Sequence, residues 1–237
     1  MRCAARRGRP RGHGFTSLPP RGPTYGAGNA SAPPRLLSVI SEVGDAYSQR
    51  ALEYIDLFGT MEAVHPSDRQ LVSTWASGVD GPVIDAGCGP GQWTDFLAGI
   101  GLTVRGVDQV PEFIERARRE YPDVEFEVGA LEHLGCDSET LGGVLSWYSL
   151  IHHDPAAISE PLAEFHRSLA AGGTLLVGFF EGPAVEPFDH AVIRAYRWSV
   201  EALGEELRAA GFDVLESHVR KTVGQRAQAA ILARRAD

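Results

Sequence analysis

The stretch VIDAGCGPG, residues 83–91, places three glycines at alternate positions directly after a short apolar run that ends in an acidic residue. The apolar residues predict a buried β-strand, and the glycines predict a sharp turn into a helix that begins near Gln92. In open α/β sheets, ligands bind beyond the carboxyl ends of the strands. Because side chains at this turn would block a nucleoside, we expect the bare backbone to receive one.

Short apolar runs alternate with helical patterns around this stretch. Strands are expected at residues 82–86, 102–107, 124–128, 142–147 and 173–180. A helix is expected at residues 111–122, with Pro111 in its first turn, and another from Ile158 to Gly172. Alternation of strands and helices predicts an α/β fold, in which a parallel sheet carries helices on both faces.

The end of the chain predicts a different strand pairing. Residues 212–220 and 226–235 both have strand character, but too few residues separate them for a parallel crossover, which needs about a dozen. We therefore expect an antiparallel hairpin at the edge of the sheet. Upstream of the first strand, residues 46–58 and 66–78 are expected to form helices that precede the sheet and close over it.

Composition favours one folded domain with a basic extension. The chain has 237 residues, 43% of them hydrophobic, which suits a single α/β domain. Residues 1–38 contain seven arginines, six glycines, six prolines and no acid, a composition that predicts a disordered tail before a domain over residues 39–237. The basic start is not followed by the apolar core that a secretory signal requires. The sequence contains no run of roughly 18 apolar residues, so no membrane span is expected.

Charge and cysteine content limit which partners and which cellular compartment are expected. The formal net charge is −9, and without the tail's seven arginines the domain carries −16, which disfavours a nucleic-acid partner. The three cysteines are odd in number and form no CxxC pair, so we expect a reducing cytoplasm. Cys88, in the glycine turn, is interpreted as a small residue in a tight turn rather than a nucleophile.

The spacing of the glycines distinguishes between two nucleotide-binding patterns. A dinucleotide fingerprint GxGxxG aligned on Gly87 and Gly89 requires a glycine at position 92, where this chain has Gln92. The pattern is instead DxGxGxG, which closely resembles motif I of the class I S-adenosylmethionine-dependent methyltransferases. Asp108 follows the last glycine by 17 positions, where that family places the acid that holds both ribose hydroxyls. The alternative to a ribose-binding role is that Asp108 caps a helix.

The resemblance implies a fold and a set of site residues. The fold is a Rossmann-like, seven-stranded, mostly parallel sheet with an antiparallel C-terminal hairpin, of the small-molecule type with a methyltransferase-11/25-like domain. The implied cofactor is S-adenosylmethionine, with S-adenosylhomocysteine as product. The implied cofactor-binding residues are Asp85, Gly87, Gly89, Gly91, Gln92, Asp108, Gln109, Gly129, Ala130, Leu131 and Trp147. Ala130 departs from the polar residue often found there, which leaves the Leu131 backbone to bind the adenine.

The segment SWYSLIHHDP, residues 146–155, resembles the part of small-molecule methyltransferases that follows the fourth strand. His152 is the candidate catalytic base, since imidazole titrates near neutral pH. The alternative is that one of the two adjacent histidines packs against the cofactor loop or caps the helix that starts near Pro155. Several aromatic residues are candidates for the pocket wall or, alternatively, for the core: Tyr47, Tyr54, Tyr148, Tyr196 and Trp198.

The sequence therefore predicts a methyltransferase that acts on an oxygen or nitrogen atom of a small molecule. Neither the [DNS]PP[YFW] signature nor a Pro-Cys nucleophile follows the fourth strand, and no carboxylate cluster predicts a metal site. Residues 181–203 are expected to determine specificity. The alternatives are a non-catalytic protein that binds the cofactor or its product, a methyltransferase of RNA or protein, and a nicotinamide oxidoreductase. The oligomeric state is left open.

Overall fold

A seven-stranded sheet organises the chain, as expected from the sequence. The computed structural model describes Tyr47 and residues 59–190 and 194–236; the predicted tail and the rest of the predicted helix at 46–58 lie outside these residues. The strands are β1 Val83–Ala86, β2 Val104–Asp108, β3 Glu125–Val128, β4 Leu141–Trp147, β5 Leu169–Phe180, β6 Glu186–Phe188, β7 Ala195–Arg197, β8 Phe212–Arg220 and β9 Gln228–Arg235. The described helices are α1 Pro66–Ala76, α2 Gln92–Gly99, α3 Pro111–Glu120, α4 Ser159–Ser168 and α5 Val200–Ala209.

The strand order is β3-β2-β1-β4-β5-β9-β8. Strands β1 to β5 are parallel, whereas β9 pairs antiparallel with both β5 and β8. Both the parallel sheet and the antiparallel hairpin were predicted and are confirmed. Because β1 pairs with β2 on one side and with β4 on the other, the order reverses between β1 and β4, where open α/β sheets bind their ligands.

Helices cover both faces of this sheet, as predicted. On one face, α1 and α2 bury Trp75 and Trp93 against the sheet, and Trp75 donates a hydrogen bond to Thr174 of β5 at 2.9 Å. On the other face, α4 and α5 bury Phe165 and Leu203 in the larger core cluster. Proline at the first turn begins both α1 and α3, where its missing N–H is not needed.

Two local features differ from the sequence prediction. Helix α4 ends at Ser168, and β5 begins at Leu169, four residues before the predicted strand start. The reason is that fully buried Leu169 pairs with Leu141 of β4, so Gly172 lies within a strand rather than ending a helix. Strands β6 and β7, which form a separate two-stranded sheet within residues 181–203, were not predicted. No helix among the described residues is long and apolar enough to cross a membrane.

Candidate active site

The three glycines between β1 and α2 all have positive φ, but their surroundings differ. A Cβ at Gly87 would lie 2.1 Å from the Cβ of Ser149, and one at Gly91 would lie 2.8 Å from the ring of Phe126. These two glycines are therefore required by packing. A Cβ at Gly89, which has φ +54°, meets no described atom within 4 Å. Gly89 is thus the position at which the bare backbone faces open space.

Asp108, at the end of β2, binds the glycine turn directly. The Gly89 N–H donates to one carboxylate oxygen at 2.8 Å, and the Val110 N–H donates to the other at 2.9 Å. Val110 is itself the N-cap residue of α3, which has no side-chain cap hydrogen bond, so the structure does not support the alternative in which Asp108 caps this helix. Each carboxylate oxygen can accept a further hydrogen bond. Burial raises the pKa of Asp108 to about 6, although its backbone hydrogen bonds oppose the rise.

Asp85 lies beneath the turn rather than on its open side. Its side chain is 1% exposed, and it accepts a hydrogen bond of 2.7 Å from the Thr94 hydroxyl of α2. Burial raises the pKa of Asp85 to about 7; Thr94 opposes the rise, and the negative charge of Asp108 adds to it. Asp85 therefore connects the end of β1 to α2 and helps to orient the loop between them. The Thr94 contact was not predicted from the sequence.

Cys88 has no geometry for nucleophilic chemistry. The residue is 4% exposed, and its thiol donates a 3.6 Å hydrogen bond to the Gly89 carbonyl. Burial raises the pKa of the Cys88 thiol, and the nearby carboxylates of Asp108 and Asp85 raise it further. A thiol held in its neutral form is a poor nucleophile, which supports the interpretation of Cys88 as a small residue in a tight turn.

The ends of β2 and β3 bring together most of the remaining predicted cofactor residues. Gly129 donates its N–H to the Asp108 carbonyl at 3.0 Å, and Ala130 forms an isolated bridge with His133. The Leu131 side chain is 9% exposed. The Gln109 side-chain oxygen is buried and has no hydrogen-bond partner among the described residues. Such an atom is a candidate acceptor for a ligand donor, because buried polar groups normally find a partner.

Two predicted residues lie at the borders of this region. Gln92, at the first position of α2, is 9% exposed. Trp147 ends β4, and its ring lies over Gly178 of β5, where a Cβ would approach the ring to 2.8 Å. Trp147 contacts Trp93 edge-to-face, with ring centroids 5.6 Å apart. Trp147 thus lies between α2 and the end of β5.

Tyr148, which follows Trp147, has a backbone φ of 60°. This left-handed conformation is unusual for a residue with a bulky side chain and marks local strain. It is held by a hydrogen bond from the Tyr148 N–H to the Gly178 carbonyl at 2.9 Å and by packing of its ring on Phe180, with centroids 5.0 Å apart. Trp198, by contrast, is 4% exposed and belongs to the core.

His152 lies in the short helical turn after β4 and uses both ring nitrogens. Its Nδ1 lies 2.9 Å from the Arg194 carbonyl, and since a carbonyl only accepts, Nδ1 carries the proton. Its Nε2 accepts from the Tyr47 hydroxyl at 2.8 Å. Burial lowers the pKa of His152 to about 4; the Arg194 bond opposes this, and nearby His190 adds to it. The imidazole is therefore neutral at physiological pH.

His153 joins two loops instead of capping a helix. Its Nε2 lies 2.8 Å from the Glu132 carboxylate, which follows the Leu131 position. Burial alone would raise the pKa of Glu132, but the hydrogen bond and charge of His153 lower it overall. The turn at Pro155 is capped by Asp154, which accepts from the Ala156 N–H at 3.0 Å. Within the described part of the chain, no group of three or more His, Cys, Asp or Glu residues is arranged to hold a metal ion.

The sheet order, the glycine turn at the point of reversal and the buried acid at the end of β2 define the class I S-adenosylmethionine-dependent methyltransferase fold. Residues 83–173 match the family model described as a methyltransferase domain. This match, the methyltransferase relatives and the structural neighbours support a class I S-adenosylmethionine-dependent methyltransferase, as motif I predicted, and S-adenosylmethionine is the cofactor of this class.

The relatives share part of their length with this chain. It is 32% identical over 135 residues to the uncharacterized methyltransferase YodH of Bacillus subtilis, an alignment that covers 54% of this chain and 56% of YodH. The chain thus spans about half the length of this curated relative.

Solved structures show the same fold. The 1,6-didemethyltoxoflavin-N1-methyltransferase of Burkholderia thailandensis, solved with 1,6-didemethyltoxoflavin and S-adenosylhomocysteine bound, superposes with a TM-score of 0.70 at 24% identity, covering 89% of this chain and 94% of that one. The [4+2]-cyclase SpnF superposes with a TM-score of 0.69 at 18% identity, covering 83% and 97%.

Proposed function

We propose that this protein transfers a methyl group from S-adenosylmethionine to an oxygen or nitrogen atom of a small molecule. The observation that carries the proposal is the open space over Gly89, bordered by the buried carboxylate of Asp108. YodH is named as a methyltransferase, and the Burkholderia enzyme as an N-methyltransferase of a small molecule. Both names support this class of reaction.

The described residues fit the cofactor. Asp108 offers remaining acceptor capacity on two oxygens to two ribose hydroxyls, and the Gln109 oxygen offers a further acceptor. We assign the glycine turn with Gln92 to the cofactor's amino-acid end, and Gly129, Ala130 and Leu131 to its adenine. Trp147 would wall the reacting end. When bound, S-adenosylmethionine supplies a methyl group already activated by its sulfonium.

The protein's main contribution is orientation. Holding two reactants in line and excluding water supplies a large part of the acceleration of such a transfer. Trp147 and Tyr148 form rigid aromatic walls at the end of β4, positioned by Gly178. We retain His152 as the candidate base, with a proton reaching its Nε2 by way of the Tyr47 hydroxyl. Since burial lowers the pKa of His152 to about 4, we expect its contribution as a base to be small.

Titration calorimetry tests the binding half of the proposal. The wild type should bind S-adenosylmethionine saturably and should not bind NAD. The Asp108→Ala variant should bind at least tenfold more weakly, because it loses a charged acceptor for the ribose. Asp213→Asn is the control, since Asp213 is an exposed carboxylate on β8. A wild type that does not bind the cofactor would refute the proposal.

Turnover tests the catalytic half. The neighbour named as a cyclase has the same fold, so cofactor binding does not by itself establish methyl transfer. The decisive readout is acceptor-dependent formation of S-adenosylhomocysteine across a panel of small hydroxyl and amine compounds. Binding without turnover across acceptors of every class, RNA and protein included, would favour the non-catalytic alternative. Turnover on RNA or protein alone would refute a small-molecule acceptor. The predicted cytoplasmic location is a proposal that imaging of a tagged protein tests.

A further inference from the structure

A cavity of about 460 Å³ opens beside Trp147, at the carboxyl end of the parallel strands. The ends of β4 and β8, the start of β9 and the first turns of α1 surround it. Its apolar walls include Leu71, Trp147 and Tyr148. This volume lies in the range typical of small-molecule pockets. Trp147 also contacts Trp93 of α2, the helix that follows the glycine turn.

The charged residues of the cavity are mainly basic. Arg220 and Lys221 line it, and Asp68 is the acidic residue among those lining it in the described chain. The protein as a whole has a formal net charge of −9. A locally basic pocket on an acidic protein favours an anionic ligand over a neutral or cationic one.

Arg220 keeps donor capacity beyond its contacts within the protein. Its Nη2 donates to Asp68 at 2.7 Å and to the Gln228 side-chain oxygen. Its Nε is buried and has no hydrogen-bond partner among the described residues. A guanidinium has five N–H donors, so one carboxylate and one amide leave part of it available. Lys221, with 71% of its side chain exposed, lies 3.8 Å from Glu181 and adds a second cation.

Tyr148 links this basic group to the reacting end of the site. Tyr148 lines the same cavity as Asp68 and Arg220. Burial raises the pKa of Tyr148 far above its usual range; Asp68 adds to the rise and Arg220 opposes it. The phenol is therefore a neutral hydrogen-bond donor at physiological pH. The strained backbone of Tyr148 is consistent with a functional position, where strain is often found.

We propose that the methyl acceptor is a small organic acid, whose carboxylate is bound by Arg220 and Lys221 and whose flat apolar part packs between Trp147 and Val219, both of which line the cavity. This inference rests on the proposed methyltransferase function and names its substrate class. A planar carboxylate matches the guanidinium fork, and Asp68 competes with it for the same cation.

The test is calorimetric titration of the full chain, saturated with S-adenosylhomocysteine, with benzoate and with benzamide as its neutral isostere. Benzoate should bind at least tenfold more tightly than benzamide. Arg220→Gln should weaken benzoate binding about tenfold, as expected for a lost charge-assisted hydrogen bond. Asp68→Asn should strengthen it, because the competing carboxylate is removed. The control Arg234→Gln, at the opposite end of β9, should leave it unchanged.

The outcomes separate the two proposals. Failure of S-adenosylhomocysteine to bind the wild type refutes the methyltransferase function. Normal binding of that product, with benzoate and benzamide bound equally or not at all, overturns the organic-acid inference alone. If the ion pair between Asp68 and Arg220 has only a structural role, Asp68→Asn should weaken benzoate binding, which is the opposite of our expectation. If Arg220→Gln does not fold, Lys221→Gln at an exposed side chain replaces it and should weaken benzoate binding a few-fold.

Discussion

Replacing Asp85 by asparagine should stabilise the cofactor-free protein at alkaline pH. Asp85 is 1% exposed, and burial raises its pKa from the ordinary 3.8 to about 7. Because the folded state holds this proton up to a higher pH than the unfolded state does, the free energy of unfolding falls as the pH rises from about 4 to about 7. Above that window the folded protein carries a buried charge that asparagine does not have.

The size of the effect follows from the pKa. One pKa unit corresponds to about 1.36 kcal/mol, so a rise of about three units amounts to about 4 kcal/mol. About 3 kcal/mol of this is lost between about pH 5 and pH 8.5, since most of the window lies between them. The hydrogen bond from Thr94 favours the charged form of Asp85, and its effect is already included in the pKa of about 7. The difference between variant and wild type should therefore be about 3 kcal/mol more favourable at the higher pH.

Urea denaturation of both proteins at the two pH values measures this difference, with equal m-values as a check on the unfolding transition. Asp213→Asn, which removes an exposed carboxylate of β8, should change stability by less than about 0.5 kcal/mol at either pH. If Asp85→Asn shifts stability by the same amount at both pH values, the carboxylate is already charged at pH 5 in the folded protein, and the reasoning from burial is wrong.

The other predictions concern the glycine turn, the ribose acid and the candidate base. Gly87→Ala should lower the free energy of unfolding by about 2–5 kcal/mol in urea titrations, since its Cβ meets Ser149 at positive φ. Gly89→Ala should cost about 1–2 kcal/mol yet weaken S-adenosylmethionine binding at least tenfold in calorimetry; the reverse order of the two variants would contradict the packing argument. Wild-type affinity for S-adenosylmethionine should fall about tenfold from pH 7 to pH 5, because protonation of Asp108 near pH 6 removes its charge, and Asp108→Asn should show a flat profile. His152→Gln should lower kcat by less than about 100-fold, which is the lower bound for a general base. The pH–rate profiles of wild type and variant should have the same shape between about pH 6 and 8. A larger fall in kcat at unchanged KM would identify an essential base.

Much of the fold was predictable because it depends on local periodicity. The β1 strand, the glycine turn and the start of α2 at Gln92 follow from a pattern of ten residues, and the short spacing between β8 and β9 requires an antiparallel hairpin. The small sheet of β6 and β7 was not predictable in this way. Its strands have three residues each, one contains a proline, and an ion pair between Glu186 and Arg197 joins them. Such short strands have no measurable period.

The candidate site also has a part that was predictable from local sequence and a part that was not. The place of Asp108 beside the glycine turn was predictable because its distance from the glycines in sequence reflects one β-α-β unit. The partners of His152 were not, since Arg194 is 42 positions away and Tyr47 is 105 positions away. Both contacts arise only when the chain folds. Burial in the folded chain lowers the pKa of the His152 imidazole to about 4, although the Arg194 bond opposes this, and no local sequence pattern reports such burial.

The lack of basic partners for two buried acids supports a charged ligand at the glycine turn. Among the acidic side chains that the structure describes, Asp85, Asp108 and Glu164 are buried. Glu164, away from the turn, is neutralised by Arg167 at 2.7 Å. No described basic side chain forms an ion pair with Asp85 or Asp108, which accept only from a hydroxyl and backbone N–H groups. Uncompensated burial of charge is costly, so a fold shaped by stability alone would pair or replace these two carboxylates. Asp108 lies beside the point where the strand order reverses and borders the open space over Gly89, so a cationic cofactor bound there would supply positive charge that the described residues do not, whereas Asp85 lies beneath the turn.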